Sequence, residues 1–350
     1  MSDKCLVGGV NAAFVGVDDL TSHLDLYVGQ LGWSVAAEGV IAQEAAERLW
    51  GNGVGSVGYV ELRAAGAGHG RLVLLRVGGR KAPEHPSQAD TGLVAINMYT
   101  RDIEVSHREL TAAGQRFRTP PATWAVPLGE KLISVTQTFL LAPDGVDVVF
   151  VQPATARGTA AWDAEPERHY TELTSVVCHV PDYEAEVAFW GPDGLGLDSW
   201  YDVSFTHPGL DEMAQLPAGS EMRLSFLAGP TTARLEITRL ADRSLGTDRR
   251  PHQRTARDLG HTGWLFLVRD LEETLARVRD LGGSVLSEAH TGPQALFDGA
   301  RVAFVDTPNG LPVTFIEDAP HAETSPMTQQ HPARAPRQSH DQRTATTEKR

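Results

Sequence analysis

Residues 260–283 carry the clearest pattern of apolar and polar positions in the chain. Trp264, Phe266 and Val268 stand at alternate positions, a period of two that predicts a strand. Asp270 follows where the first helical turn needs an acceptor for its unpaired amides, so we expect it to be the N-cap. Apolar residues then recur at helical spacing until two glycines end the helix: Leu271, Leu275, Val278, Leu281, Gly282 and Gly283.

The same strand–helix pattern occurs four times along the chain. The predicted caps are Asp19, Asp102, Asp182 and Asp270, at intervals of 83, 80 and 88 residues. Spacing this regular indicates a repeated supersecondary unit. Modules one and three resemble each other most, and modules two and four share a Pro-Asp-Gly or Pro-Asn-Gly turn between their last strands. The repeat is therefore interpreted as a duplicated pair.

The periodic pattern is lost at residues 153–168, which predicts an inter-domain linker. A length of 350 residues is typical of two domains. We expect a first domain of two modules at 8–152 and a second domain of two modules at 169–318. Residues 319–350 are polar and rich in proline, which predicts a disordered tail.

Composition narrows the choice of partners. With 31 basic and 45 acidic side chains the formal charge is −14, which argues against a nucleic-acid partner. No apolar stretch approaches the roughly 20 residues that a membrane helix needs, and no signal peptide is evident. Cys5 and Cys178 lie far apart without a metal-type neighbour, so we expect a reducing, cytoplasmic location.

On these residues the chain resembles the vicinal oxygen chelate superfamily, which includes glyoxalase I, the bleomycin- and fosfomycin-resistance proteins and the extradiol dioxygenases. The resemblance covers roughly residues 8–318, with four modules in register. It implies an α+β fold in which four βαβββ modules form two tandem glyoxalase-like domains with cup-shaped mixed sheets. It also implies a small organic ligand, aromatic ones included, and a monomer or homodimer.

In that superfamily the cup usually holds a divalent metal such as iron, nickel or zinc. The ligands are a His or Gln in a module's first strand and a Glu in its last strand. The matching first-strand positions here are Ala12, Ala95, Ser175 and Gly263, and the last-strand positions are Val73 or Leu75, Val149, Glu236 and Thr314. Only Glu236 has the expected residue type, so no metal cofactor is favoured.

A displaced site is the alternative. Strand alternation predicts that His179 faces the cup with Ser175 and Val177, and that His261 faces it with Gly263. Two imidazoles and one carboxylate are the set that non-haem iron favours, so His179, His261 and Glu236 are the candidate catalytic residues and, if a metal binds, its ligands. His179 lies four residues from the family's position, roughly 13 Å along a strand, which weighs against the metal.

Aromatic side chains after the third helix predict a wall around a flat ligand, with ordinary packing as the alternative. The candidate substrate-binding residues are Ser175, Val177, Trp200, Tyr201, His207, Gly263 and Thr314.

Three functions fit this pattern. The first is an isomerase, lyase or cyclase with a degenerate metal site, whose active cup lies in the second domain and uses general acid–base chemistry. The second is a ligand-sequestering protein of the bleomycin-resistance type. The third is a dioxygenase- or glyoxalase-like metal enzyme with displaced ligands, which the missing ligands disfavour. Charged and imidazole groups concentrate on the cup face of the second half, which favours the enzyme over the binder.

Overall fold

The structure is a computed structural model, and it describes residues 5–78, 83–128, 131–153, 158–231 and 233–318. The predicted tail at 319–350 and residues 154–157 of the predicted linker lie outside the described residues. The described part of the linker contains a short helix, α4 (Ala160–Ala164). The side chain of Glu172 accepts hydrogen bonds from the first two amides of this helix, which fixes it against the following strand.

All four modules contain one strand, a helix and three further strands. Module one consists of β1 (Val7–Val17), α1 (Leu20–Leu24) with a π-helical continuation (Asp25–Gln30), β2 (Ser34–Ile41), α2 (Gln43–Trp50), β3 (Val57–Arg63) and β4 (Arg71–Arg76). Module two consists of β5 (Gly92–Thr100), α3 (Ile103–Ala112), β6 (Ala122–Leu128), β7 (Lys131–Ala142) and β8 (Val146–Pro153). Module three consists of β9 (Tyr170–His179), α5 (Tyr183–Trp190), β10 (Asp198–Phe205), α6 (Pro208–Ala214), β11 (Met222–Ala228) and β12 (Arg234–Leu240). Module four consists of β13 (Gly260–Val268), α7 (Leu271–Asp280), β14 (Ser284–Thr291), α8 (Gln294–Phe297), β15 (Arg301–Asp306) and β16 (Pro312–Glu317).

The four predicted N-caps are confirmed. Each aspartate has a non-helical backbone, and its side chain accepts a hydrogen bond from an amide of the first turn. The cap and donor pairs are Asp19 with Thr21, Asp102 with Val105, Asp182 with Ala185, and Asp270 with Glu273. The local pattern of the sequence therefore sets the start of every module helix.

The strands form two eight-stranded mixed sheets, which confirms the α+β class and the cup-shaped glyoxalase-like architecture. The first sheet has the order β14-β15-β16-β13-β1-β4-β3-β2, and the second has the order β10-β11-β12-β9-β5-β8-β7-β6. The first strands of two modules pair antiparallel at the centre of each sheet, β1 with β13 and β5 with β9. Modules one and four thus share a sheet, as do modules two and three.

This pairing differs from the expected division at the linker, because each sheet takes one module from either half of the chain. Each first strand is buried along nearly its whole length and needs a hydrogen-bonding partner on both edges. The last strand of its own module occupies one edge, and the first strand of the partner module occupies the other. Sequence periodicity specifies that such a partner exists and carries no information on which module supplies it.

The convex sides of both sheets and the module helices share one apolar core. Trp190 of α5 stacks on Phe266 of β13, with ring centroids 4.4 Å apart and an interplanar angle of 26°. Separate apolar clusters line the two concave faces. We call the concave face of the sheet from modules one and four the first cup, and that from modules two and three the second cup. Among the described helices, none has the length and apolar character needed to cross a membrane.

Candidate functional site

The family's ligand positions in the first cup carry no strong metal donor. They occupy two adjacent rows across the central strands. One row contains Ala12, Leu265 and Thr314, and the other contains Val73, Phe14 and Gly263. Thr314 is the single polar residue among these six, and divalent transition metals prefer imidazole and carboxylate ligands to a threonine hydroxyl.

Gly263, a predicted substrate-binding residue, is covered by the loop that precedes β13. A Cβ atom on this glycine would lie 2.4 Å from Oγ1 of Thr255 and 3.6 Å from Cδ2 of Phe14. The Thr255 hydroxyl donates a hydrogen bond of 2.6 Å to the Thr262 carbonyl, which holds it there. The place of the family's histidine is therefore filled by protein. Thr314 is fully buried in the same cup, and its hydroxyl has no hydrogen-bond partner among the described residues.

The second cup holds Glu236, the one carboxylate at a family position. Asn97 Nδ2 donates a hydrogen bond of 2.9 Å to Glu236 Oε1, and the Ser175 hydroxyl donates to the same oxygen. Val177 lies beside Glu236 in the strand register and faces the apolar lining of the cup, as predicted. Ser175, the family's metal-ligand position, thus donates to the carboxylate directly.

An aromatic wall stands next to this carboxylate. The Arg234 guanidinium lies 5.7 Å from the centroid of Trp200 and 5.4 Å from that of Phe226, and it donates to the Tyr99 hydroxyl. Trp200 and Phe226 are stacked, with centroids 5.1 Å apart and an interplanar angle of 9°. Tyr201 contacts Phe226 at 5.5 Å, and burial raises the pKa of its phenol. Trp200, Tyr201, Phe226 and Arg234 thus form one cluster beside Glu236, and its use as a wall for a flat ligand stays a prediction.

His179 lies at the closed end of the second cup. The Thr238 hydroxyl donates to the Cys178 carbonyl at 2.9 Å, so Nδ1 of His179 is the donor in its 3.2 Å contact with Thr238. Nε2 of His179 accepts a hydrogen bond from the Leu240 amide at 3.4 Å. Both nitrogens of a neutral imidazole are therefore used, and burial lowers the pKa of His179 to about 4.

Helix α6 closes that end of the cup, with Leu210 and Met213 in its apolar lining. His207 is the N-cap of this helix, and its Nδ1 accepts from the Gly209 amide at 3.0 Å. The His207 ring also lies 6.4 Å from Trp124. His207 therefore caps α6, and both ring nitrogens of His179 are used within the protein.

His261 does not face either cup, which corrects the phase predicted for it. An irregularity in the pairing sets Phe14 opposite Gly263 but Val15 opposite His261, so one residue of β13 is extra. Since Val15 packs in the shared core, His261 points there too, and its Nε2 accepts from Trp264 Nε1 at 3.0 Å. Burial lowers the pKa of His261 to about 3.

The displaced metal site is consequently not assembled. Glu236 and His179 belong to the second sheet, whereas His261 lies on the core side of the first. No group of three or more His, Cys, Asp or Glu side chains within the described ranges could hold a metal ion. The residues present do not fit the family's divalent metal.

The first cup contains functional candidates that sequence reasoning missed. A cavity of about 370 Å³ lies between the sheet and α8. Glu61 accepts from Arg71 Nη1 at 2.8 Å and from Arg63, and Arg71 also donates to Asn11. In the sequence, the signal for this cluster is that Arg71 is in phase with Val73 on β4, and so falls on the face that carries the family's last-strand position.

Several solved structures are similar to this chain over most of its length. Glyoxalase I from Zea mays matches with a TM-score of 0.56 at 15% identity, over 88% of this chain and 92% of that chain. A mutant of the same protein gives a TM-score of 0.59 at 14% identity, over 88% and 93%. The chain adopts the vicinal oxygen chelate fold. A "putative dioxygenase" from Bacillus subtilis subsp. subtilis strain 168 shares it, with a TM-score of 0.58 at 10% identity over 90% of this chain and 87% of that chain. No model of a protein family matches the sequence, and neither does any curated protein.

The vicinal oxygen chelate fold explains why two cups are present. The predicted resemblance is confirmed for the fold, while identities of 10–15% carry no conclusion about the reaction. The chemistry of each cup depends on its own side chains.

Proposed function

We propose that the chain is a metal-independent enzyme that acts on a small organic molecule by proton transfer, as an isomerase or lyase does. The second cup is the active site and Glu236 is the general base. The observation that carries this proposal is the position of Glu236, held on the cup floor by neutral donors from Asn97 and Ser175. These donors fix the orientation of the carboxylate in the cup, as a general base requires.

Arg234 supplies the second chemical group. It lies two residues before Glu236 on the same face of β12, roughly 7 Å along the strand. A guanidinium in a partly desolvated aromatic surround stabilises a developing oxyanion more strongly than it would in water. A base and an oxyanion partner are therefore neighbours on one face of β12.

The proposed step uses an aromatic ketone as the simplest substrate. Its ring packs on Trp200 and Phe226, and its carbonyl oxygen accepts from Arg234. Glu236 takes a proton from the carbon next to the carbonyl, and the C–H electron pair forms the enolate. The proton then returns to the same or another carbon, which regenerates the carboxylate and leaves the overall redox state unchanged.

The donor set of the second cup supports a step of this kind without a metal. One carboxylate and one hydroxyl occupy the family's four positions there, and they are bonded to each other. We also propose that the chain acts as a monomer or homodimer in a reducing, cytoplasmic compartment. The free thiols of Cys5 and Cys178 support such a location.

The test is exchange of the methyl protons of acetophenone in deuterated buffer, followed by NMR. Wild type should accelerate the exchange, and Glu236→Gln should lose the acceleration by roughly 100-fold or more while still binding acetophenone. Glu221→Gln, which changes an exposed glutamate of the same module, is the matched control and should keep the wild-type rate. Equal exchange by Glu236→Gln and wild type would refute the role of Glu236.

Sequestration of an aromatic ligand is the second candidate, and the stacked pair of Trp200 and Phe226 favours it. A sequestering protein needs the wall and no base. Binding of acetophenone that weakens in Trp200→Ala, with no proton exchange in wild type, would support sequestration over catalysis.

A further inference from the structure

The first cup is a covered chamber. Helix α8 lies over it, and the Tyr59 hydroxyl of β3 donates to the Ala295 carbonyl of that helix. The cavity of about 370 Å³ beneath is within the size range of small-molecule sites. Ala12 lies between Leu265 and Arg71 in the strand register, and its short side chain leaves space above the centre of the sheet.

A buried cation stands at one side of this chamber. The Arg71 side chain is 12% exposed, and its Nε has no hydrogen-bond partner among the described residues. Burial lowers the pKa of Arg71, while the neighbouring Glu61 carboxylate acts in the opposite direction. Glu61 is shared between Arg71 and Arg63, so this cluster of one carboxylate and two guanidiniums keeps one net positive charge.

The opposite side of the chamber is apolar. Phe14, Leu265 and Phe297 line it, and Phe14 packs edge-on against Trp50. One carboxylate, Asp298, lies at the rim, where it is exposed and accepts from Gln294. Water screens an exposed rim charge much more than a buried one, so Arg71 dominates the potential inside.

We propose that the first cup is a second binding site, for a small organic carboxylate with an apolar body. The ligand carboxylate pairs with Arg71 and takes up its unused Nε donor, since guanidinium and carboxylate groups match in a bidentate geometry. The apolar body lies against Phe14 and Leu265 beneath α8. This site is independent of Glu236 and of the reaction proposed for the second cup.

The test compares 2-naphthoate with 2-naphthamide, a neutral molecule of the same shape, by calorimetric titration of the full chain. Wild type should bind naphthoate, and more tightly than the amide by on the order of 10-fold or more. Arg71→Met should weaken naphthoate binding by on the order of 10- to 100-fold, whereas Arg71→Lys should keep part of it. Arg108→Met, which removes an exposed guanidinium of α3, is the control and should leave the affinity unchanged.

Glu61→Gln separates binding from a structural role. This variant removes the internal carboxylate that competes for Arg71, so naphthoate should bind several-fold more tightly even if the fold is less stable. A purely structural cluster would lose affinity in Glu61→Gln and Arg71→Met alike, and that result would overturn the proposal. So would equal affinities for acid and amide, absence of naphthoate binding, equal losses in Arg108→Met and Arg71→Met, or a loss in Arg234→Met with none in Arg71→Met, which would place the ligand in the second cup.

Discussion

The two buried histidines make the fold sensitive to mild acid. Burial lowers the pKa of His179 to about 4 and that of His261 to about 3, from an ordinary value of 6.5. In each ring a nitrogen accepts a hydrogen bond, from the Leu240 amide and from Trp264 respectively, and a protonated ring cannot accept it. Protonation would therefore break a bond and place a charge in the interior.

The sign and size of the effect follow from these pKa values. Below pH 6.5 the unfolded chain protonates both rings, while the folded chain resists until about pH 4 and pH 3. The stability that the neutral rings provide is thus complete above pH 6.5 and is lost as the pH falls towards the folded values. At pH 5 the loss is about 2 kcal/mol for each histidine and about 4 kcal/mol together, a large share of a typical folding free energy.

Urea unfolding at pH 7.5 and pH 5 measures this loss. In His261→Gln the amide oxygen can still accept from Trp264 but does not titrate, so the drop in unfolding free energy between the two pH values should shrink by about 2 kcal/mol. His252→Gln, which removes an exposed histidine, is the matched control. Other titrating groups are common to all variants and cancel in the comparison. If wild type and His261→Gln lose equal stability at pH 5, the reasoning is refuted.

Two further variants test local features of the fold. Gly263→Ala places a methyl group against Thr255 and should destabilise the fold by roughly 1–3 kcal/mol. Adding Thr255→Ala should restore part of this loss. Thermal unfolding measures the stability of both variants. Asp270→Ala removes the cap of α7 and should lower the unfolding free energy in urea by about 1 kcal/mol. Asp280→Ala, at the exposed end of the same helix, should not destabilise the protein. Equal losses in the two variants would contradict the role of the cap.

The features predicted correctly from sequence are those that depend on near neighbours. A helix cap needs one acceptor next to its own first turn, so Asp182 and Asp270 could be identified directly. Strand alternation likewise predicted that Val177 faces the cup, because β9 runs without interruption there. These local rules fixed the module and the direction of most side chains.

The predictions that failed depend on pairing between distant strands. One extra residue in β13 turned His261 away from the cup, and such a bulge becomes visible only opposite Val15. The first-cup chamber depends on contacts between modules one and four, such as the one from Tyr59 to the Ala295 carbonyl. The sequence of module one alone, or of module four alone, does not reveal the register in which the two modules pair.

The pairing of modules one with four and two with three has a consequence for synthesis on the ribosome. Modules two and three are adjacent in the chain, so their sheet can form once β12 has been synthesised. β1 cannot pair with β13, its antiparallel partner, until module four has been synthesised. Bringing those two strands together closes a loop that contains the whole inner sheet, so their contact is among the most non-local in the molecule. Until then one edge of β1 is open to pairing with other chains, and we expect the first module to be prone to aggregation in the nascent protein.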